Sequence, residues 1–369
     1  MASRDVVQEE IRVGVVKQKK AAERGALGEI GNLVTLRPPP ATTRPVTRSF
    51  RTQLLANTHI GKPKETNGGE RTQSPHSSLT STPTARCPKQ RKVVNIDAQD
   101  IDNELAAVEY VEDLYKFYKL VENESMVHDY MRTQPNMNEK TRASLINWLI
   151  EVHDSFDLMN ETLYLAINIL DRFLAKETVG KTELRCVGVS AMLIASKYVE
   201  MRTDLMVYDF MGISEIGYEE RDVLVMEKRI LNRLEWNLTV PTPYVFLTRF
   251  IKAAAAAAPL ETEVEQMVYF YAELGIMNYH ITIRYCPSMV AASAVYAARS
   301  TLNKNPVWHD TLEMHTGFTE TQVMECGKLM MVSHLIVKDG EKRKVIYEKY
   351  SSDKRGTVAL YSPPKTMLL

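Results

Sequence analysis

From Asn138 to Asn237 apolar residues recur at helical spacing. The first run, Leu145, Trp148, Leu149, Val152 and Phe156, falls at i, i+3, i+4, i+7 and i+11, one stripe along a helix. Asn160 precedes a second run, Leu163, Ile167, Leu170 and Leu174, and its side-chain oxygen is placed to cap that helix. Gly180 separates it from residues 182–200, TELRCVGVSAMLIASKYVE, which are apolar on nearly every face. Such a helix must be surrounded, and Gly188, Ser190, Ala191, Ala195 and Ser196 let neighbours come close, so it belongs at the centre of a bundle. A short helix near 205–211 and a longer one over 218–233 complete five.

Pro241 and Pro243 in WNLTVPTPY cannot continue a helix and predict an extended linker. A second set follows. Its third member, CPSMVAASAVYAARSTL from Cys286, is again rich in small residues and apolar all round, and a longer helix starts at Thr319. The alanines 253–258 end the first helix of this set or form the loop after it. Ahead of both sets, 104–119 places Leu105, Val108, Val111 or Glu112, and Tyr115 at helical spacing behind Asn103 as cap. No segment alternates with period two for long enough to be a strand. The pattern predicts an all-α chain: two tandem five-helix domains, 104–240 with its leading helix and 241–338, then a charged tail over 339–369.

Composition changes the picture at the front. Residues 1–95 hold eight of the sixteen prolines and one aromatic, Phe50, too little apolar surface to offset the entropy of ordering, so a disordered tail is expected. They carry 17 Lys/Arg against 7 Asp/Glu, and the remainder 29 against 39: a basic front of +10 on an acidic body of −10. Cys87, Cys186, Cys286 and Cys326 form no CxxC pair, which suggests neither zinc nor a disulfide framework. No h-region opens the chain and no run of about 18 uncharged apolar residues follows, so no membrane is expected, and the compartment is cytoplasm or nucleus.

Chemistry is sparse. GxxxxGK[ST], GxGxxG after a strand, GxSxG and HExxH are all missing, and the eight histidines show no ligand spacing. His309 and His315 are six apart, on different helix faces. Asp171 and Arg172 in LDRFL read as structural, since ion pairs and caps are common at helix ends. No catalysis, cofactor or metal is predicted.

Specific runs carry a resemblance. Residues 160–200, then LVMEKRILNRLEWNLTVPTPYVFLTRFIKA, then CPSMVAASAVYAARS closely resemble the A- and B-type cyclins, most of all plant B-type mitotic cyclins, over 104–369. The resemblance implies two tandem cyclin boxes and a regulatory subunit, not an enzyme, whose partner is a cyclin-dependent kinase. Lys197 in ASKYVE and Glu227 in LVMEKRIL match the Lys and Glu with which such cyclins hold the kinase backbone. Ile194, Tyr198, Leu231, Trp236 and Leu238 match their apolar surround, though Leu231 and Leu238 fit a box core equally well, and Tyr110, Leu114 and Phe117 match a kinase-facing leading helix.

The family also docks Arg-x-Leu ligands on a patch of Met-Arg-Ala-Ile-Leu and a Trp. Here it reads Thr141, Arg142, Ala143, Ser144, Leu145 and Trp148, with rim residues Glu151 and Arg185, the latter in place of Gln. Two lost apolar contacts remove about 1.5 to 3 kcal/mol each if a ligand buries them, and Arg185 repels a ligand Arg, so weakened docking is implied. The loop from Glu200 also departs from the family, without a functional account.

In the front segment Arg24, Leu27, Ile30 and Asn32 match the mitotic destruction box, which implies a ubiquitin ligase receptor of the anaphase-promoting type as a second partner. Lys17, Lys19 and Lys20 are candidate ubiquitin acceptors or a solvated basic cluster. That cluster or Lys89–Lys92 could serve nuclear import, and Ser74-Pro75 and Thr82-Pro83 are minimal proline-directed phosphorylation sites. Two rivals remain: a degenerate cyclin that binds a kinase without normal substrate docking, and a TFIIB-like nucleic-acid binder. The acidic body argues against the latter.

Overall fold

The computed structural model describes residues 93–201, 207–214, 217–256, 261–339 and 345–364. Residues 1–92 of the basic tail, with the motif of Arg24, Leu27, Ile30 and Asn32, the lysine clusters and both phosphorylation dipeptides, lie outside the described residues, while at its end the Val94 N–H donates to Thr311 Oγ1 at 3.2 Å.

The leading helix does not begin where the spacing suggests. Asn103 caps a 3-10 turn, Glu104–Ala106, by accepting from the Leu105 N–H, and Ala107 then takes a left-handed φ of 43° before α1 (Val108–Val121) starts. Leu105 is thereby cut off from the α1 stripe and stands 96% exposed. Tyr115 and Tyr118 hold α1 against the second box: the Tyr115 hydroxyl donates to Val245 O at 2.8 Å, and both rings meet Phe246 edge-on.

The first box is α2 (Glu139–Ser155), α3 (Asn160–Lys176), α4 (Leu184–Val199), α5 (Val207–Ser214) and α6 (Glu220–Arg233). The central position of α4 follows from its small residues. A Cβ on Gly188 would sit 3.3 Å from Leu145 Cδ1 and 3.5 Å from Leu149 Cδ2, so α2 packs closely on α4 here and an added methyl group would make Leu145 give by a few tenths of an ångström. One cap differs from the sequence expectation. Asn160 is the first residue of α3, and the helix start is served instead by Glu200, whose Oε1 accepts from the Met159 N–H at 2.8 Å and the Thr162 hydroxyl at 2.5 Å. The loop that departs from the family thus supplies a structural carboxylate.

The second box is α7 (Pro243–Ala254), α8 (Thr262–Met277), α9 (Tyr279–Arg284), α10 (Pro287–Thr301), α11 (Asp310–Thr316) and α12 (Glu320–Asp339). Short α9, capped by Asn278, is an addition to the expected five. No strand occurs among the described residues.

The charged segment after Lys338 folds. It forms α13 (Val345–Ser351) and two 3-10 turns, with Ile346, Tyr350, Val358 and Ala359 buried. What the local sequence conceals is a remote partner: buried Lys349 donates to Glu273 Oε1 at 2.8 Å, joined by the Tyr350 hydroxyl at 2.7 Å.

Arg142 joins the boxes. It is fully buried, donating to Asp171 through Nε at 2.8 Å and Nη2 at 2.5 Å, and to the carbonyls of Met277 and Ile276 at the end of α8 at 3.0 and 3.1 Å. Although it falls in the docking-patch stretch of the sequence, it points inward. Asp171 has the structural role expected of it.

Candidate functional site

Along one edge of the first box, α4 and α6 lie side by side. Lys197 in the last turn of α4 donates to both carboxylate oxygens of Glu227 on α6, at 2.7 and 3.0 Å. The lysine side chain is half exposed and the glutamate 13% exposed. Such a pair near solvent contributes at most about 1 kcal/mol, so an incoming partner can redirect both groups at small cost. One offers an ammonium to a carbonyl, and the other a carboxylate to an N–H.

The apolar surround is only partly where the resemblance puts it. Tyr198 is exposed, with its hydroxyl 2.6 Å from Thr239 Oγ1, and Trp236 is 64% exposed just past the end of α6. Ile194 and Leu231 belong to the box core at 3% and 9% exposure, and Leu238 is half-buried against that core. The five positions are therefore two exposed aromatics and three covered aliphatics, with Leu231 and Leu238 taking the core alternative that the sequence left open. Leu224, exposed and three residues before Glu227, is a member of this face that the motif does not single out. Its signal is the helical spacing, since 224, 227 and 231 share one helix face.

Tyr110, Leu114 and Phe117 form an exposed row at i, i+4 and i+7 on α1, with the Phe117 ring 6.2 Å from that of Tyr118, which carries the contact on towards Phe246. They stand on a different element from the Lys197–Glu227 pair. A continuous packed framework links the two: α1 on α7, α7 against α3, and α3 against α4.

The expected docking patch is split up. Thr141 closes the α2 cap, its N–H and hydroxyl both donating to Asn138 Oδ1 at 2.9 and 3.1 Å. Leu145 is buried under α4, while Ser144, Glu151 and Arg185 are exposed. Trp148 is half-buried, and the Arg185 guanidinium lies over its ring at 5.6 Å, a cation–π contact across the surface a ligand would use. Among the described residues no group of three His, Cys, Asp or Glu is placed to hold a metal, and no helix is long and apolar enough to cross a membrane. His309 lies just before α11 and His315 on it, both half-buried.

The family comparisons agree with this architecture. The family model for the cyclin N-terminal domain matches residues 113–239, and that for the cyclin C-terminal domain residues 241–364. G2/mitotic-specific cyclin-1 of Antirrhinum majus is 45% identical, the alignment covering 100% of this chain and 94% of that protein. Cyclin-B1-2 of Arabidopsis thaliana is 43% identical, with coverages of 100% and 97%. The chain belongs to the B-type mitotic cyclins. Among solved structures, a viral cyclin from herpesvirus saimiri superposes on this cyclin with a TM-score of 0.52 at 19% identity, covering 61% of this chain and 96% of that one, a likeness of fold. Membership makes this cyclin a regulatory protein of the G2/M stage, from a family of kinase regulatory subunits that are not themselves enzymes. The match of the C-terminal domain runs to residue 364, so α13 and the turns after it fall within the box and not behind it.

Proposed function

We propose that this cyclin binds a cyclin-dependent Ser/Thr protein kinase through the Lys197–Glu227 edge and the outward face of α1, and activates it to drive the G2/M transition. The observation that carries this reading is the Lys197–Glu227 pair, its lysine half exposed, on a box that also leaves Tyr198, Trp236 and Leu224 exposed along α4, α6 and the turn after α6. Solvated aromatics around a pair of polar anchors are the composition of a binding hot spot. Pressed against the kinase's regulatory helix, this face swings that helix so that its Glu reaches the Lys that holds the ATP phosphates, an ion pair the active kinase requires.

The test is to mix purified cyclin with an inactive cyclin-dependent kinase and measure complex formation and substrate phosphorylation. Lys197→Ala with Glu227→Ala is expected to abolish activation while circular dichroism stays helical. Unchanged activity in that double variant removes the site assignment, and no binding by the wild-type chain removes the kinase.

The proposal extends to the front segment. Arg24, Leu27, Ile30 and Asn32 engage a ubiquitin ligase receptor of the anaphase-promoting type, so that the protein is destroyed at mitotic exit. Arg24→Ala with Leu27→Ala should lengthen its half-life in synchronised cells, and an unchanged half-life counts against the motif. Residence in nucleus and cytoplasm belongs to the same reading and is checked by imaging a tagged chain through the cycle. A second reading, weakened substrate recruitment, is favoured by Arg185 over Trp148 and by Thr141 in the cap. Substrates with and without an Arg-x-Leu motif should then be phosphorylated at similar rates.

A further inference from the structure

We propose that Arg172 is a positioning residue for the partner-binding face, acting through the strained turn that presents Trp236; the inference rests on the kinase reading above. After α6 the chain turns through Glu235 and Trp236 at φ 55° and 59°. Two consecutive left-handed residues with side chains, one of them bulky, form a conformation that persists only where its surroundings hold it. The Trp236 ring is mostly solvated, so burial of the ring within this chain does not explain the strain.

What holds the turn is visible. From within, the Trp236 N–H donates to Leu231 O and the Asn237 N–H to Leu234 O, both at 3.0 Å. From outside, Arg172 of α3 donates Nη1 to Asn237 O at 2.9 Å, the carbonyl next after Trp236. That bond fixes the segment leading away from Trp236 and hence the direction in which its ring stands.

Arg172 is otherwise costly where it sits. It is half-buried, its other side-chain bond is a long one to Asn168 Oδ1 at 3.4 Å, and no carboxylate lies within ion-pair distance among the described residues. Burial draws its guanidinium below its ordinary value. A desolvated cation without a counter-charge is unfavourable unless its hydrogen bonds compensate, and its short bond goes to the Trp236 turn. If that carbonyl is released, Glu235 and Trp236 relax toward right-handed backbone and the ring leaves the face. The loss appears as partner affinity, because a pre-set aromatic costs less to order on binding than a free one.

The experiment is a double-mutant cycle on affinity for a cyclin-dependent kinase, with Arg172→Ala, Trp236→Ala and the two combined. Trp236→Ala should weaken binding roughly tenfold or more, and Arg172→Ala by a comparable factor. The combined variant should be no weaker than Trp236→Ala alone, and Arg172→Lys should recover part of the loss. Hydrogen exchange in the free protein, read on residues 234–240, should quicken in Arg172→Ala while exchange in α4 stays unchanged. The inference is overturned if Arg172→Ala binds like wild type, if the two losses multiply in the combined variant, or if exchange quickens throughout the first box. A Trp236→Ala chain that binds normally beside a Lys197→Ala/Glu227→Ala chain that does not overturns the inference and leaves the kinase reading standing. A wild-type chain that fails to bind removes both.

Discussion

His334 carries a pH dependence that its sequence context hides. It is fully buried, with Nε2 donating to Ala359 O at 2.9 Å and Nδ1 accepting from the Tyr271 hydroxyl at 3.0 Å, so the ring is neutral. Burial pulls its pKa down to about 4, with the Ala359 bond opposing and Lys338 reinforcing. In the unfolded chain the ring titrates near 6.5. The fold therefore keeps its full stability above about pH 6.5 and loses it progressively as pH falls toward 4, where the unfolded chain alone binds the proton. The loss should approach about 3 kcal/mol. Urea denaturation at pH 7.5 and 4.5 of the wild type and of His334→Gln measures it: the variant should lose less stability between the two, while His153, His309 and His315, also held below their ordinary value by burial, keep their own share. From the sequence this histidine is one of eight without ligand spacing, because a buried His is defined by distant partners and not by its neighbours in the chain. The same limit applies to the docking face. Lys197 and Glu227 are legible from their motifs, whereas the resemblance sets Ile194 among the partner contacts although it stands on a helix that is apolar on nearly every face and must be surrounded. The packing of α3 and α6 around α4 covers it.

Helices are far easier to read than their ends. The spacing of apolar residues marks α2 and α3 and the small-residue runs place α4 and α10 at the two centres, whereas α8 is implied only by the repeat of five. The misreadings cluster where a single backbone torsion or a remote side chain decides: Ala107 splitting the leading helix, Glu200 replacing Asn160 as the cap, and Lys349 meeting Glu273 to fold the last segment. Two glycines test the packing logic. A methyl group added at Gly212 in α5 would meet nothing within 4 Å, so Gly212→Ala should gain up to about 1 kcal/mol of helix propensity. In α12, a Cβ on Gly327 would lie 2.7 Å from Tyr296 Cδ1 and 3.4 Å from Ser293 O, in the packed contact with α10. There the propensity gain is outweighed by overpacking of about 1 to 3 kcal/mol, so Gly327→Ala should lower the melting temperature while Gly212→Ala raises it. Calorimetry on the pair decides whether the α10–α12 contact is as close as described.

At the scale of the whole molecule, the two boxes share one buried charge. Asp171 accepts from Arg142 and, at 2.6 Å, from the Tyr130 hydroxyl, while Arg142 spends its remaining donors on the last carbonyls of α8. The desolvated carboxylate raises the affinity of Arg142 for its proton despite full burial, so the guanidinium stays charged throughout the accessible pH range. One guanidinium therefore satisfies a carboxylate in the first box and two carbonyls in the second. Arg142→Met should do two separable things. It strands the Asp171 charge in the core, which costs about 3 to 5 kcal/mol, and it unties the boxes. Adding Asp171→Leu removes the stranded charge and should recover much of the stability, since a buried ion pair gains little over well-packed apolar side chains. The tie between the boxes is not recovered by that second change, because the carbonyls of Ile276 and Met277 remain without the guanidinium. The expected outcome is that the wild-type boxes unfold together in urea, whereas the double variant, though close to wild type in midpoint, unfolds with a lower slope or in two steps. A single transition of unchanged slope in the double variant would show that apolar contact alone couples the boxes and that Arg142 contributes only to the first.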